Sequence, residues 1–257
     1  MTAAVAVRRT AVLAYSPRSR EYIRRVLRTL GYAPLVFTSL DELMAMGADA
    51  ATLDLMVLGD APEIDSQARD VAQHVLDATR GNVPLLHASM HRPASRSRRR
   101  DTASGIGAVS PRFFSELYRV ILSFVDSLGY PSAPRLLAWD RYSFHPIERV
   151  VVFDGKKLKL DAVDFDIALE LFFNAGRPLA RRWLTRMLPA GEHGANWHRI
   201  DNLGCTIEDL REALQLHGRN GWLLEDLPDG GCQLHAAPAV PHAARARAQP
   251  QRNAHPA

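Results

Sequence analysis

Six side chains in the second half of the chain are of types that bond phosphate oxygens and base edges: Arg181, Arg182, Arg199, Asn202, Thr206 and Arg211. Guanidinium groups fork onto phosphates and guanine, and Asn and Thr can reach base edges from a helix. Carboxylates sit among them at Asp201, Glu208, Asp209, Asp226 and Asp229. Each repels a phosphate, although a carboxylate can accept from cytosine N4. Quieter roles stay open. Arg181 and Arg182 are either solvated helix charges or phosphate contacts, and Asn202 is either the N-cap of its helix or a base contact. No nucleophile–base pair, phosphate loop or metal cluster is legible, so no enzyme and no cofactor is expected. Glu192, His193 and His198 share a Gly-rich loop, a weak set for a metal ion. Cys205 and Cys232 are too few for a disulfide framework and fit a reduced cytoplasm, with Cys205 expected in a core.

The elements that must position these groups read as follows. Val163, Ile167, Leu171 and Phe172 give one helix its apolar stripe, and Asn174-Ala175-Gly176-Arg177-Pro178-Leu179 makes the turn after it. A second helix carries Arg181, Arg182 and Arg186, and a third packs through Ile207, Leu210 and Leu214. Trp222-Leu223-Leu224 and Gly231-Cys232-Gln233-Leu234 read as strands of a glycine-tipped hairpin. Upstream, short strands at Leu136–Trp139, Tyr142–His145, Val150–Phe153 and Lys157–Leu160 form a small antiparallel sheet, with Asp154-Gly155 turning the last pair.

From about Leu136 this order resembles the winged helix-turn-helix output domain of OmpR/PhoB-type response regulators. The turn at Asn174–Leu179 and the helix end Leu210-Arg211-Glu212-Ala213-Leu214 carry the likeness. The resemblance implies a third helix in the major groove of double-stranded DNA, a wing on the neighbouring backbone, and a loop, here around Trp197, that can contact RNA polymerase. Trp197 is either such a protein contact or a buried anchor. This sequence departs from the family at Glu208 and Asp209, and at Pro228 and Cys232, where the wing's arginine and tyrosine are expected.

The first half alternates strands and helices: a strand at Ala11–Tyr15, a helix at Arg18–Leu30, strands at Ala33–Phe37 and Leu53–Leu58, a helix at Ile64–Arg80, strands at Pro84–Ala88 and Ala108-Val109, and a helix at Pro111–Leu128. A short helix after Ser39 is expected to open on a capping box with Glu42. The product is a doubly wound, flavodoxin-like parallel sheet. It resembles a response-regulator receiver domain, whose acidic pair, phospho-acceptor, hydroxyl and lysine fall here on Tyr15-Ser16, Gly59, Ser89 and Ser110, with Asp60 one residue past the acceptor position. Without clustered carboxylates a magnesium ion has no site, so the resemblance implies a degenerate pseudo-receiver that works by association. In the family the last helix belongs to a dimer face; of Phe113, Phe114, Leu117, Val120, Ile121 and Phe124, four are expected to be ordinary core.

The expected organisation is a receiver-like domain at 1–128, a linker at 129–135, a winged helix at 136–235 and a basic, disordered tail at 236–257. His91–Arg100 is either a solvated loop or a basic contact. Residues 1–134 carry 16 basic and 13 acidic groups, residues 135–234 carry 13 and 15, and the tail carries 3 basic groups, within a chain of net charge +4. The putting together of a slightly acidic second half with a DNA-reading frame leaves two readings. One is a phosphorylation-independent transcription regulator that binds promoter DNA as a homodimer, with a regulatory protein as a further partner. The other is a protein-interaction regulator that has lost most DNA binding. No apolar run is long enough for a membrane helix. The apolar run behind Arg8-Arg9 ends at Ser16-Pro17, too soon for a signal peptide, so it reads as a first buried strand.

Overall fold

The computed structural model describes residues 8–60, 65–90, 107–132, 136–187 and 203–237. Five parallel strands, β1 (Thr10–Leu13), β2 (Leu35–Phe37), β3 (Leu55–Leu58), β4 (Leu85–Ala88) and β5 (Gly107–Val109), stand in the order β2-β1-β3-β4-β5. Leu13 is registered against both Phe37 and Leu58, and Ala88 against Val109. All four residues of β1 and of β3 are buried, as for parallel strands covered on both faces. The covering helices are α1 (Pro17–Thr29), α2 (Leu40–Met44), α3 (Asp65–Ala78) and α4 (Phe114–Ser127), with a 3-10 turn at Gly47–Thr52. The strand order reverses between β1 and β3, so the crevice at their carboxyl ends is where such a sheet places its site.

Local chemistry explains the helix starts. Ser16 caps α1, accepting from Ser19 N–H at 3.1 Å, and Pro17 supplies a preset φ at the first position. Ser39 caps α2 and accepts from Glu42 N–H at 3.3 Å. Glu42 reaches back in turn, accepting from Thr38 N–H at 2.6 Å, from its hydroxyl at 2.8 Å and, more weakly, from the Ser39 N–H of the capping box. Those bonds hold the Glu42 carboxyl below its ordinary pKa.

The second half opens with a four-stranded antiparallel sheet of β6 (Leu137–Trp139), β7 (Tyr142–His145), β8 (Val150–Phe153) and β9 (Lys156–Lys159). Asp154 and Gly155 turn β8 into β9 with φ of 45° and 74°, the doubly left-handed pair that a two-residue hairpin demands. Then come α5 (Ala162–Phe173), β10 (Pro178–Leu179), α6 (Arg181–Met187), α7 (Leu203–Ala213), and the hairpin β11 (Trp222–Asp226) with β12 (Cys232–Ala236). β10 pairs with β12, closing a three-stranded sheet against the helices. The whole is a receiver-like α/β sheet followed by an α+β winged helix.

One core runs through both halves. Val163 and every residue from Phe165 to Phe172 are buried, so α5 has no solvent face at all. A helix buried all round must be flanked on every side. Here α1 and α4 supply the side that an isolated winged helix would leave wet: Tyr22 meets Phe114 edge-on at 5.4 Å between ring centroids, and Phe114 lies 6.1 Å from Phe173. Of the six apolar residues of the last receiver helix, Phe114, Leu117 and Ile121 are buried, while Phe113, Val120 and Phe124 are half-buried against the same core. Arg119 also donates to the Ile147 carbonyl in the β7–β8 turn. Part of the surface of α4 is thus covered within the chain.

Candidate nucleic-acid interface and a closed acidic pocket

Arg181 and Arg182 are exposed at the start of α6, and Arg177 is exposed in the turn before it. The Arg181 stem runs beside Gly230, which turns the wing at a φ of 74°. Gly231 has no room for a side chain: a Cβ there would lie 3.1 Å from Ala180 Cα. This tight approach sets the wing tip next to the start of α6, so one surface carries both.

On α7 the sequence-derived contacts divide. Thr206 is buried, its side chain turned with Leu203, Ile207 and Leu210 toward the core, which corrects its expected place on the groove-facing side. Cys205 is corrected in the other direction, since it is exposed and not core. Arg211 is largely buried and already engaged. Its Nε donates to the Leu224 carbonyl at 3.0 Å, and its terminal nitrogens pair with Glu208 and, at 2.8 Å, with Asp226. It braces α7 against β11. What α7 shows to solvent is Gly204, Cys205, Glu208, Asp209, Glu212 and Ala213. Asp226, Pro228 and Asp229 are exposed on the wing, and Cys232 is buried, its thiol pushed up to about 12 first by burial and then by Asp226. Arg186 lies in α6, but its side chain, and all of Arg199, Asp201, Asn202 and the loop with Glu192, His193, Trp197 and His198, fall outside the described residues.

In the first half, the positions derived for phosphotransfer converge only in part. Asp60 is 2 % exposed. Its Oδ2 accepts from the Ser16 hydroxyl at 2.7 Å; its Oδ1 accepts from the Ser89 hydroxyl at 2.9 Å and from Met90 N–H at 2.6 Å. The Asp60 N–H donates to Ser19 Oγ at 3.2 Å, and its carbonyl accepts from Tyr15 N–H at 3.1 Å. Ser110 is exposed and outside this set, and Tyr15 contributes only its backbone. Gly59 leaves no space for an acceptor, because a Cβ there would come within 2.6 Å of Ala14 Cβ and collide with Ser19 Oγ. Among the described residues no cluster of three or more His, Cys, Asp or Glu side chains could hold a metal ion.

The sequence reading passed over a second set, Arg18, Tyr22 and Arg25 on α1 with Asp166 and Glu170 on α5. Arg18 is buried and donates to the carbonyls of Met90 and Arg112, tying the pocket to the start of α4. Phe113, at the N-cap of α4, offers no side-chain acceptor. Asp166 does so from the other half, taking the Phe114 N–H on both carboxylate oxygens at 3.2 Å. Arg25 pairs with Glu170, which also accepts from Asn174 Nδ2 and Trp183 Nε1, both at 2.7 Å. A signal existed: residues 18, 22 and 25 share one face of a helix, as do 166 and 170, and their charges match.

Fold and surface together define a receiver-like sheet fused to a winged helix. No protein-family model and no curated protein matches the sequence. Similar solved structures include the response regulator DrrB of Thermotoga maritima, described as an OmpR/PhoB homolog, at 15% identity over 89% of this chain and 100% of that one, with a TM-score of 0.35. The DNA-binding domain of CpxR from E. coli is similar at 20% identity over 40% of this chain and 98% of its own, TM-score 0.33. A receiver domain protein of Bacillus halodurans is similar at 18% identity over 46% and 96%, TM-score 0.34. The fold assignment stands on the strand order and registers above. Among the described residues no helix is long and apolar enough to cross a membrane.

Proposed function

We propose that the protein is a transcription regulator of the response-regulator type that binds double-stranded promoter DNA through its winged helix and works without aspartate phosphorylation. The observation that carries the DNA reading is the exposed pair Arg181 and Arg182 at the start of α6, with the Arg181 stem beside Gly230 of the wing, whose strand β11 is tied to α7 through Arg211 and Asp226. Exposed arginines at a helix start suit phosphate, and the adjacent helix suits a groove. Phosphorylation independence is supported by the closed Asp60 pocket, where both carboxylate oxygens are taken and the acceptor position is a glycine without space. Action as a homodimer in a reducing cytoplasm, with contact to RNA polymerase or a regulatory protein, belongs to the same reading; the dimer contact would use a surface other than the Phe114 side of α4. The test is binding to promoter fragments across a salt series. Specific binding that weakens steeply with salt is the expected result. A stable mass gain on incubation with a small phosphodonor and magnesium would overturn the phosphorylation-independent part.

A second reading has its own observation. Glu208, Asp209 and Glu212 dominate the exposed face of α7, and its one basic residue, Arg211, is neutralised by Glu208 and Asp226. A protein-interaction regulator on this scaffold would show no DNA binding even at low salt and would retain a specific protein partner.

A further inference from the structure

We infer that the joint between the receiver-like half and the winged helix is a protonation-gated latch, in which the Asp166 carboxyl takes up a proton as the two halves close and releases it as they part.

The geometry of the joint singles out this carboxyl. Asp166 is 1 % exposed and lies between three helices. It caps α4 by accepting the Phe114 N–H, it accepts from the Tyr22 hydroxyl of α1, and it faces Arg18 of α1 and Glu170 of its own helix. Arg25, also from α1, is committed to Glu170 and sits over the Phe173 ring at 4.5 Å. Arg18 also donates to the Met90 and Arg112 carbonyls, which carry no countercharge. Asp166 is therefore a buried carboxyl at the seam of the two halves, packed among apolar rings, with Arg18 facing it from α1 and Arg25 held by Glu170. Burial, opposed by Arg18, Phe114 N–H and Tyr22, lifts its pKa from the ordinary 3.8 to about 7. Parting the halves returns the carboxyl to water and to its ordinary value.

The sign follows from linkage. A carboxyl with a raised pKa in the closed state favours closure fully below its open-state value. That advantage is lost as pH rises from about 4 to about 7, and above this both states are ionised and no further change occurs. Acidification through the neutral range tightens the latch. The inference concerns the joint alone and holds whether the winged helix reads DNA or a protein.

Backbone amide exchange on the full chain, corrected for intrinsic rate, tests this at the start of α4 and in α5. Protection there should fall at close to tenfold per pH unit from about pH 5.5, about fifteenfold by about pH 7, and level off about a unit above that. Helix α3, whose Val71 and Val75 pack with Phe37 and Leu43 in a separate apolar cluster of the first half, serves as the internal reference and should lack this step. Asp166→Asn keeps an acceptor for Phe114 N–H and Tyr22 but cannot ionise, so its protection should be flat across the range. Tyr22→Phe, which removes a donor to the ionised form, should extend the decline to higher pH. A flat wild-type profile overturns the latch, as does an Asp166→Asn variant, or a Tyr22→Phe variant if the former does not fold, with the wild-type profile.

Discussion

Asp60 sits one residue from where phosphotransfer would want it, and that residue changes what a carboxylate can do. At the end of a buried strand its oxygens are consumed by Ser16, Ser89 and Met90, so it works as a cross-tie between β1, β3 and β4. Removing it in Asp60→Ala takes this acceptor from two hydroxyls and an amide. A loss of about 3 kcal/mol in urea unfolding is expected, with Asp60→Asn losing less because it retains one acceptor. Restoring the acceptor position in Gly59→Asp should not restore chemistry. The new Cβ meets Ala14 and Ser19, so overpacking should cost about 1–3 kcal/mol, with no mass gain from a phosphodonor. That a glycine, and not a carboxylate, follows β3 was legible in the sequence, because it needed only the strand ends. The closed network was not, since Ser16, Ser89 and Asp60 meet only after three strands are paired.

At the scale of the element, α7 and the wing show where pattern reading succeeds and stops. The apolar positions Ile207, Leu210 and Leu214 follow from helical spacing, and all are buried. So does the acidic exposed face. The fate of Arg211 does not follow, because its partners Leu224 and Asp226 lie across the hairpin, and a side chain listed by type as a groove contact becomes a brace between helix and strand. Thr206 and Cys205 took unexpected places for different reasons: Thr206, three residues after Leu203 and four before Leu210, lies at the edge of the apolar stripe, whereas Cys205 lies on the opposite face and only its residue type suggested a core. If α7 faces DNA, its charge limits affinity. Asp209→Lys, at an exposed position with no partner to disturb among those described, should raise affinity for promoter DNA and steepen the dependence of log K on log salt by about 1. An unchanged slope would place α7 away from the phosphates and favour the protein-interaction reading.

At the scale of the molecule, the joint makes two recognisable halves into one cooperative body. Composition places a linker near Gly129 between two domains, and the structure packs α1 and α4 of the first against α5 of the second, with the aromatic core continuing across. The sequence reading found the apolar stripe of α5 and gave Asp166 and Glu170 no role. Only the docking of the two halves turns them inward, and no local pattern encodes a docking. Calorimetry should therefore record a single unfolding transition for the full chain. Arg25 supplies the sharpest test, since it is the cation paired with the buried Glu170. In Arg25→Ala the carboxylate keeps Asn174 and Trp183 as donors but loses its countercharge, and breaking a buried pair from one side costs about 3 kcal/mol or more. For a chain of this size that should lower the midpoint by roughly 10 °C. Adding Glu170→Gln removes the uncompensated charge while leaving an acceptor for Asn174 and Trp183. The double variant should regain much of the loss, a coupling that a merely steric role for Arg25 would not produce, and two strictly additive losses would show that the halves stay together by apolar contact alone.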